Sequence, residues 1–352
     1  MFRRTAGWLA RRERAPTSVR AVFGYYANAG VFDYGSLRLK RRVDASIDEM
    51  VSNAFADIEE AIAEEFGYGY VSFSYDTKLL LPANLTLGYL YRELPAAKHA
   101  TAEQMTQLAV EALLDGDMRD ALNDSEYEDF EVDFDVGERD RERIAEIAQE
   151  VLQARVEEQL SSYPDAVKET YEWAVDISEA HQDQDVQFRE YMQRAQTEDE
   201  DALERIRAEY KFADFEEQPA LFTEDELSLP YLKTQYDRVG IIYDAMLTMY
   251  RDSGLPIEWS FQRSIVLAII GAQLWLDDVD DYHDDMGDGQ LTPVTAEYLL
   301  ADTEGEARKN VIDISYEYLD RATAEATVAD STLTGIATEY IRYDGSPSVL
   351  PD

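Results

Sequence analysis

The stretch IVLAIIGAQLWLDDVDDYHDDMGDGQLTP, Ile265–Pro293, runs twelve mostly apolar residues straight into seven aspartates. A segment apolar nearly all round reads as a buried helix. The one polar residue inside it is Gln273. At regular helical spacing Gln273, Asp277, Asp281 and Asp284 share one face, and Asp278 sits beside them, three residues before Asp281. On the same spacing Asp280 and Asp285 turn away. Carboxylates crowded at the tip of a buried helix must take up protons, reach water or bind cations. Hard oxygen ligands in a group suit Mg²⁺, which keeps several waters and often bridges to substrate phosphates.

Working outward, the preceding segment YLKTQYDRVGIIYDAMLTMYRDSG places Lys233, Asp237, Gly240 and Asp244 on one stripe of an otherwise apolar, Tyr-rich helix. One reading is a Lys233–Asp237 surface pair, worth little. The other is a lysine positioned to meet a phosphate whose metal ions sit on the next helix.

The composition frames both readings. The chain has 352 residues, 74 acidic and 32 basic, a net charge of −42, seven Lys against 25 Arg, and no Cys. Such a protein repels itself at ordinary ionic strength, so the expected setting is the cytoplasm of a high-salt cell, where the repulsion is screened. The 45% of hydrophobic residues, including 23 Tyr, 13 Phe and 4 Trp, can bury a core, which argues against disorder. Three His make a His-rich zinc site a poor expectation, and nucleic acid is disfavoured because a phosphate backbone needs a basic surface. No run reaches the roughly 20 apolar residues that cross a bilayer, and MFRRTAGWLARRERA has charges without an apolar signal core.

Residues 1–42 form a basic arm with ten of the 32 basic residues, Phe2, Trp8 and Leu9 interleaved among arginines. Its arginines either pair with the acidic body or make a peripheral contact with a membrane surface. Residues 43–352 read as one helical domain. Within it GYGYVSFSYDTKLLL alternates aromatic and small residues, which predicts a short strand or β-hairpin near residues 68–80.

The order of features resembles a family, the class I isoprenoid synthases, and in particular the trans-polyprenyl diphosphate synthases. Lys233–Thr234 is similar to that family's KT pair. Gln273 follows forty positions later, and Asp277-Asp278-Val279-Asp280-Asp281 then reads as DDxxD. Gly289-Gln290-Leu291-Thr292-Pro293 is similar to the family's glycine–threonine–proline segment. The chain departs from the pattern in three places. Gln273 lies four residues before the first Asp rather than three, Gln290 stands where the family has Lys, and no clean first aspartate motif appears in the N-terminal half. EDFEVDFDVGERDRER, Glu128–Arg143, and WAVDISEAHQDQDVQFR, Trp173–Arg189, are its degenerate candidates.

The resemblance, carried by residues 231–293, implies an all-α bundle around an apolar cavity. It implies Mg²⁺ bound by Asp277, Asp278 and Asp281, and a prenyl diphosphate contacted by Lys233 and Gln273. The expected function is a Mg²⁺-dependent prenyl diphosphate transferase or cyclase that ionises an allylic diphosphate. The alternative is a non-catalytic helical protein of the same fold, serving binding or assembly, at a membrane surface or as an oligomer.

Overall fold

The computed structural model describes residues 16–29, 34–75, 77–124, 130–134 and 137–351, with all of their side chains except those of residues 29, 34, 37, 124, 138, 178, 179 and 181–184. The fold is all-α. In chain order the helices are α1 Thr17–Ala29, α2 Tyr34–Phe66, α3 Leu81–Glu93, α4 His99–Asp124, α5 Glu138–Leu160, α6 Asp165–Ala195, α7 Glu200–Arg205, α8 Leu232–Gln235, α9 Ile241–Asp252, α10 Trp259–Ala272, α11 Asp278–Asp280, α12 Tyr282–Asp288, α13 Pro293–Leu300, α14 Glu304–Val328 and α15 Thr332–Asp344. Among the described residues none is long and apolar enough to cross a membrane.

A strand does form in the aromatic stretch, β1 Phe73–Tyr75, but it makes no local hairpin. It pairs antiparallel with β2 Phe130–Val132, Ser74 opposite Glu131. The residues after Tyr75 are claimed by a helix instead: Leu80, Leu85, Leu87 and Leu90 are all buried, and a returning strand could bury only every second one.

The chain divides into two compact units, residues Met1–Asp33, Glu172–Ala245 and Ile257–Asp352 in unit 1, and Tyr34–Tyr171 with Met246–Pro256 in unit 2. The boundary expected at residue 42 falls inside α2. Residues 1–15 and 30–33 of the basic arm lie outside the described residues. Of the rest, Lys40 pairs with Asp44 at 2.7 Å, Arg42 with Glu103 at 3.5 Å while stacking on Tyr91, and Arg20 stacks on Tyr343.

Unit 2 packs α2 to α5 around Ile58, Ile62, Leu90, Leu108 and Val156. Two acids one turn apart on α4 are fully buried there, each with its own partners. Glu111 receives Arg155, Gln107 and Gln159, and Asp115 receives Arg119, Gln149 and Tyr171. Burial raises the Asp115 carboxyl above the usual range, against the pull of Arg119.

Unit 1 is organised on α10, whose Phe261, Ile265, Val266, Leu267 and Ile270 are buried, as its all-round apolar sequence demands. It lies against α14 so closely that a Cβ at Gly271 would meet Leu319 at 2.9 Å. At the chain ends α1 packs on α15, with the Tyr25 ring lying where a side chain at position 335 would go; only glycine fits. Asn28 donates to the buried Glu339 at 2.6 Å across the same contact. Gly335→Val should therefore expel Tyr25 and cost about 1–3 kcal/mol, the usual range for overpacking. The check is a thermal melt with limited proteolysis: α1 should become cleavable well below the main transition, and an unchanged digestion pattern would contradict this packing.

Candidate functional site

Three helices of unit 1 contain a π turn: Ile206–Lys211, Tyr236–Gly240 and Gln273–Asp277. Each inserts one residue into the helical repeat, closing a bond five residues back, as from Asp278 N–H to Gln273 C=O. The register of the side chains shifts accordingly. Regular spacing puts Gln273 in line with Asp277; with the π turn it is in line with Asp278, and its Nε2 donates to Asp278 Oδ1 at 3.2 Å.

The second π turn delivers Arg238, whose Nη1 reaches the same Asp278 Oδ1 at 3.4 Å. The first delivers Tyr210, buried, with its hydroxyl donating to the Leu291 carbonyl at 2.9 Å. Tyr210 feels the charges of Arg238, Asp278, Asp185 and Asp285, so all three π turns contribute to one electrostatic neighbourhood.

At its centre is Asp278, with a side chain 2% exposed and a buried Oδ2 that has no hydrogen-bond partner among the described residues. Burial pushes its carboxyl up to about 7. Arg238 and Gln273 oppose that, while Asp285 and Asp277 add to it. Asp285, expected from regular spacing to turn away, is half-buried beside Asp278. Burial and Asp281 push it to about 6, against Arg238 and a hydrogen bond with Thr292. The exposed Asp281 is raised as well, by partial burial and by Asp280 and Asp284. Burial works against the charge of Arg238, but Asp278, Tyr210, Asp185 and Asp285 more than restore it.

The segment after the acids is held to them. Gly289 ends α12 in the left-handed conformation, and Gln290 N–H bonds back to the Asp285 carbonyl. Thr292 then caps α13 from one residue before Pro293.

Of the residues singled out in the sequence, Asp278 and Gln273 are together at the centre, and Asp277 and Asp281 are exposed at its edge. Lys233 is paired with Asp237 at 2.7 Å, both side chains 20% exposed. Asp176 is described, but the side chains of Glu179, His181 and Asp183 on the same α6 face lie outside the described residues. Arg238, Tyr210, Asp185 and Asp285 were not singled out. One signal was available: Arg238 is the only arginine between Arg207 and Arg251, in a chain with few cations to spare.

Among the described residues no three His, Asp or Glu side chains come together as a ligand set for a metal ion. The arrangement has one inward carboxylate shared between Gln273 and Arg238, with the other acids spread around it. The side chains thus do not fit a ready-made Mg²⁺ site; Arg238 supplies the compensating charge. No family model, no curated protein and no solved structure matches the chain.

The raised carboxyls fix a pH dependence. Asp278 and Asp285 titrate higher in the folded state than the roughly 3.9 of a free aspartate, so the native state binds protons first. Stability should then fall as pH rises from about 4 to 7 and level off above. Asp115 and Glu339, also raised by burial, contribute with the same sign. In Asp278→Asn the drop between pH 5.5 and 8 should shrink by an amount on the order of a few degrees of melting temperature at fixed salt. A variant with the slope of the wild type would mean that Asp278 is ionised without strain.

Proposed function

We propose that this chain is an isoprenoid-synthase-like transferase or cyclase, in which the surroundings of Asp278 receive the diphosphate of an allylic prenyl substrate. The observation that supports it best is the buried, incompletely partnered carboxylate of Asp278 beside Arg238. Acids from three helices, Asp185 on α6, Asp278 on α11 and Asp285 on α12, act on Arg238, and among the described residues one oxygen of the buried Asp278 has no hydrogen-bond partner. The open oxygen of Asp278 is where a cation arriving together with an anionic substrate would bind.

Mg²⁺ is the counter-ion that the family resemblance implies. Because the side chains do not form its ligand set in this arrangement, no step is assigned to it. The chain's own groups have definite parts. Arg238, a planar guanidinium that stays charged at every working pH, is suited to phosphate oxygens. Lys233, five residues earlier, offers a second cation, and Gln273 orients Asp278. Tyr210 is buried beside this charged group, with the rings of Phe188 and Tyr231 packed against it. In either reading the natural medium is a high-salt cytoplasm, and the basic residues of 1–42 are the part suited to a peripheral contact with an anionic membrane.

A second reading is favoured by one observation. Arg238 already compensates Asp278, as a protein-supplied counter-charge does in a site that has no catalytic ion. The chain is then a non-catalytic helical protein of the same type, used for binding or assembly.

Diphosphate release separates the two. Purified protein in concentrated KCl with Mg²⁺ should liberate diphosphate from geranyl, farnesyl or geranylgeranyl diphosphate. Arg238→Gln and Asp278→Ala should each lower the rate about a hundredfold, the usual effect of removing one electrostatic stabiliser. No release from any of the three, together with no thermal shift on adding Mg²⁺ and inorganic diphosphate, would leave the binding or assembly role.

A further inference from the structure

Immediately before Lys233 the backbone makes a costly corner. Tyr231 is in the left-handed region, φ +65° and ψ 6°, although it is a bulky residue with only 1% of its surface exposed. Such a conformation costs on the order of 1–3 kcal/mol and persists only where the surroundings over-determine it.

The surroundings do so here. The Tyr318 hydroxyl donates to the Pro230 carbonyl at 2.7 Å, and Tyr231 N–H donates to the Lys211 carbonyl at 2.6 Å. The Tyr231 hydroxyl donates to Glu297 Oε1 at 2.7 Å. Glu297 is itself buried, 1% exposed, and is held by Lys211 Nζ at 2.6 Å and Asn310 Nδ2 at 3.1 Å. Three different helical segments thus close on one residue. The corner starts α8, which runs directly into the π turn that carries Arg238. Thr234 ties the same turn to Tyr210, donating to its carbonyl at 3.2 Å.

We infer that the left-handed corner at Tyr231, clamped by Glu297 and Lys211, is a positioning element that sets Arg238 against the acids around Asp278. It rests on the function proposed above in so far as that cation meets a diphosphate. Tyr231 and Glu297 touch no substrate; they act through the place at which α8 begins.

The test compares two buried hydroxyl deletions in the full-length protein. Tyr231→Phe keeps the ring and removes the bond to Glu297. Tyr250→Phe removes an equally buried hydroxyl that donates to Thr106 at 2.9 Å in unit 2, and serves as the control for a purely structural loss. Two readouts are taken: diphosphate release from the best prenyl diphosphate with Mg²⁺, and the side-chain Nε–H resonance of Arg238, assigned with Arg238→Lys. Tyr231→Phe should displace the Arg238 resonance and lower kcat by about tenfold or more, since small misplacements of a positioned group carry large rate penalties. Tyr250→Phe should lower the melting temperature while leaving both readouts unchanged. An undisturbed Arg238 resonance and wild-type kcat in Tyr231→Phe would overturn the inference. A displaced resonance in a protein that releases no diphosphate even as wild type would keep the corner as the element that places Arg238, and would sink only the prenyl diphosphate reading.

Discussion

The carboxylate of Asp278 sits where water cannot solvate it, and much of the local architecture of unit 1 answers that one constraint. An isolated buried charge is too expensive to keep, so it must be paired, hydrogen-bonded or neutralised. Here all three responses are partly engaged. Arg238 pairs with it at 3.4 Å, Gln273 bonds to it, and its proton affinity has risen to about 7. None is complete, because one oxygen has no partner among the described residues. A buried ion pair with imperfect geometry is a weak contributor to stability, since the desolvation of both charges offsets their attraction.

The three π turns are the means by which the site is assembled. A regular helix presents a residue every 100°, and a straight α10 continuation would have aimed Asp278 away from Gln273. One added residue rotates the acid tip so that Asp278 points inward and Asp277 outward. The same device turns Arg238 toward it from the neighbouring helix, and brings Tyr210 beneath. π turns weaken the local hydrogen-bond ladder, and their clustering at a polar site follows the general association of such turns with function.

This explains which parts were legible in the sequence. The buried helix at Ile265–Leu276 was readable because a run of twelve residues with Gln273 as its one polar member leaves almost no exposed face, and the all-α class followed from helical spacing along most of the chain. The strand at Phe73–Tyr75 was readable from alternation, but its partner 55 residues and more away was not, because pairing depends on long-range packing that alternation does not encode. Side-chain facing at the aspartates failed for a definite reason: it assumed 3.6 residues per turn through a segment that uses more. Asp285 and Asp185 were hidden by abundance. With 74 acids in the chain, number cannot separate a surface carboxylate from a buried one. Company can: Glu111, Asp115, Asp278, Glu297 and Glu339 are each almost completely buried, and each is met by Arg, Lys, Gln or Asn.

Few cations are available for that role, and how the chain uses them is informative. Several basic residues make exposed pairs of the i, i+4 kind, such as Lys309 with Asp313 and Arg205 with Glu209, which contribute little and are screened in concentrated salt. The partners of the buried acids are different, because low exposure shields them from the same salt. Lys211, with 15% of its side chain exposed, sits on Glu297, and Arg238 sits on Asp278. These two pairs flank a single short stretch, Tyr231–Arg238, one holding the strained corner at its start and the other the π turn at its end. Strain and buried charge are both unfavourable in isolation, and neither helps this stretch to fold. They stand at opposite ends of eight residues: the left-handed corner lies where the helix begins, and the π turn at its end carries the arginine that meets Asp278.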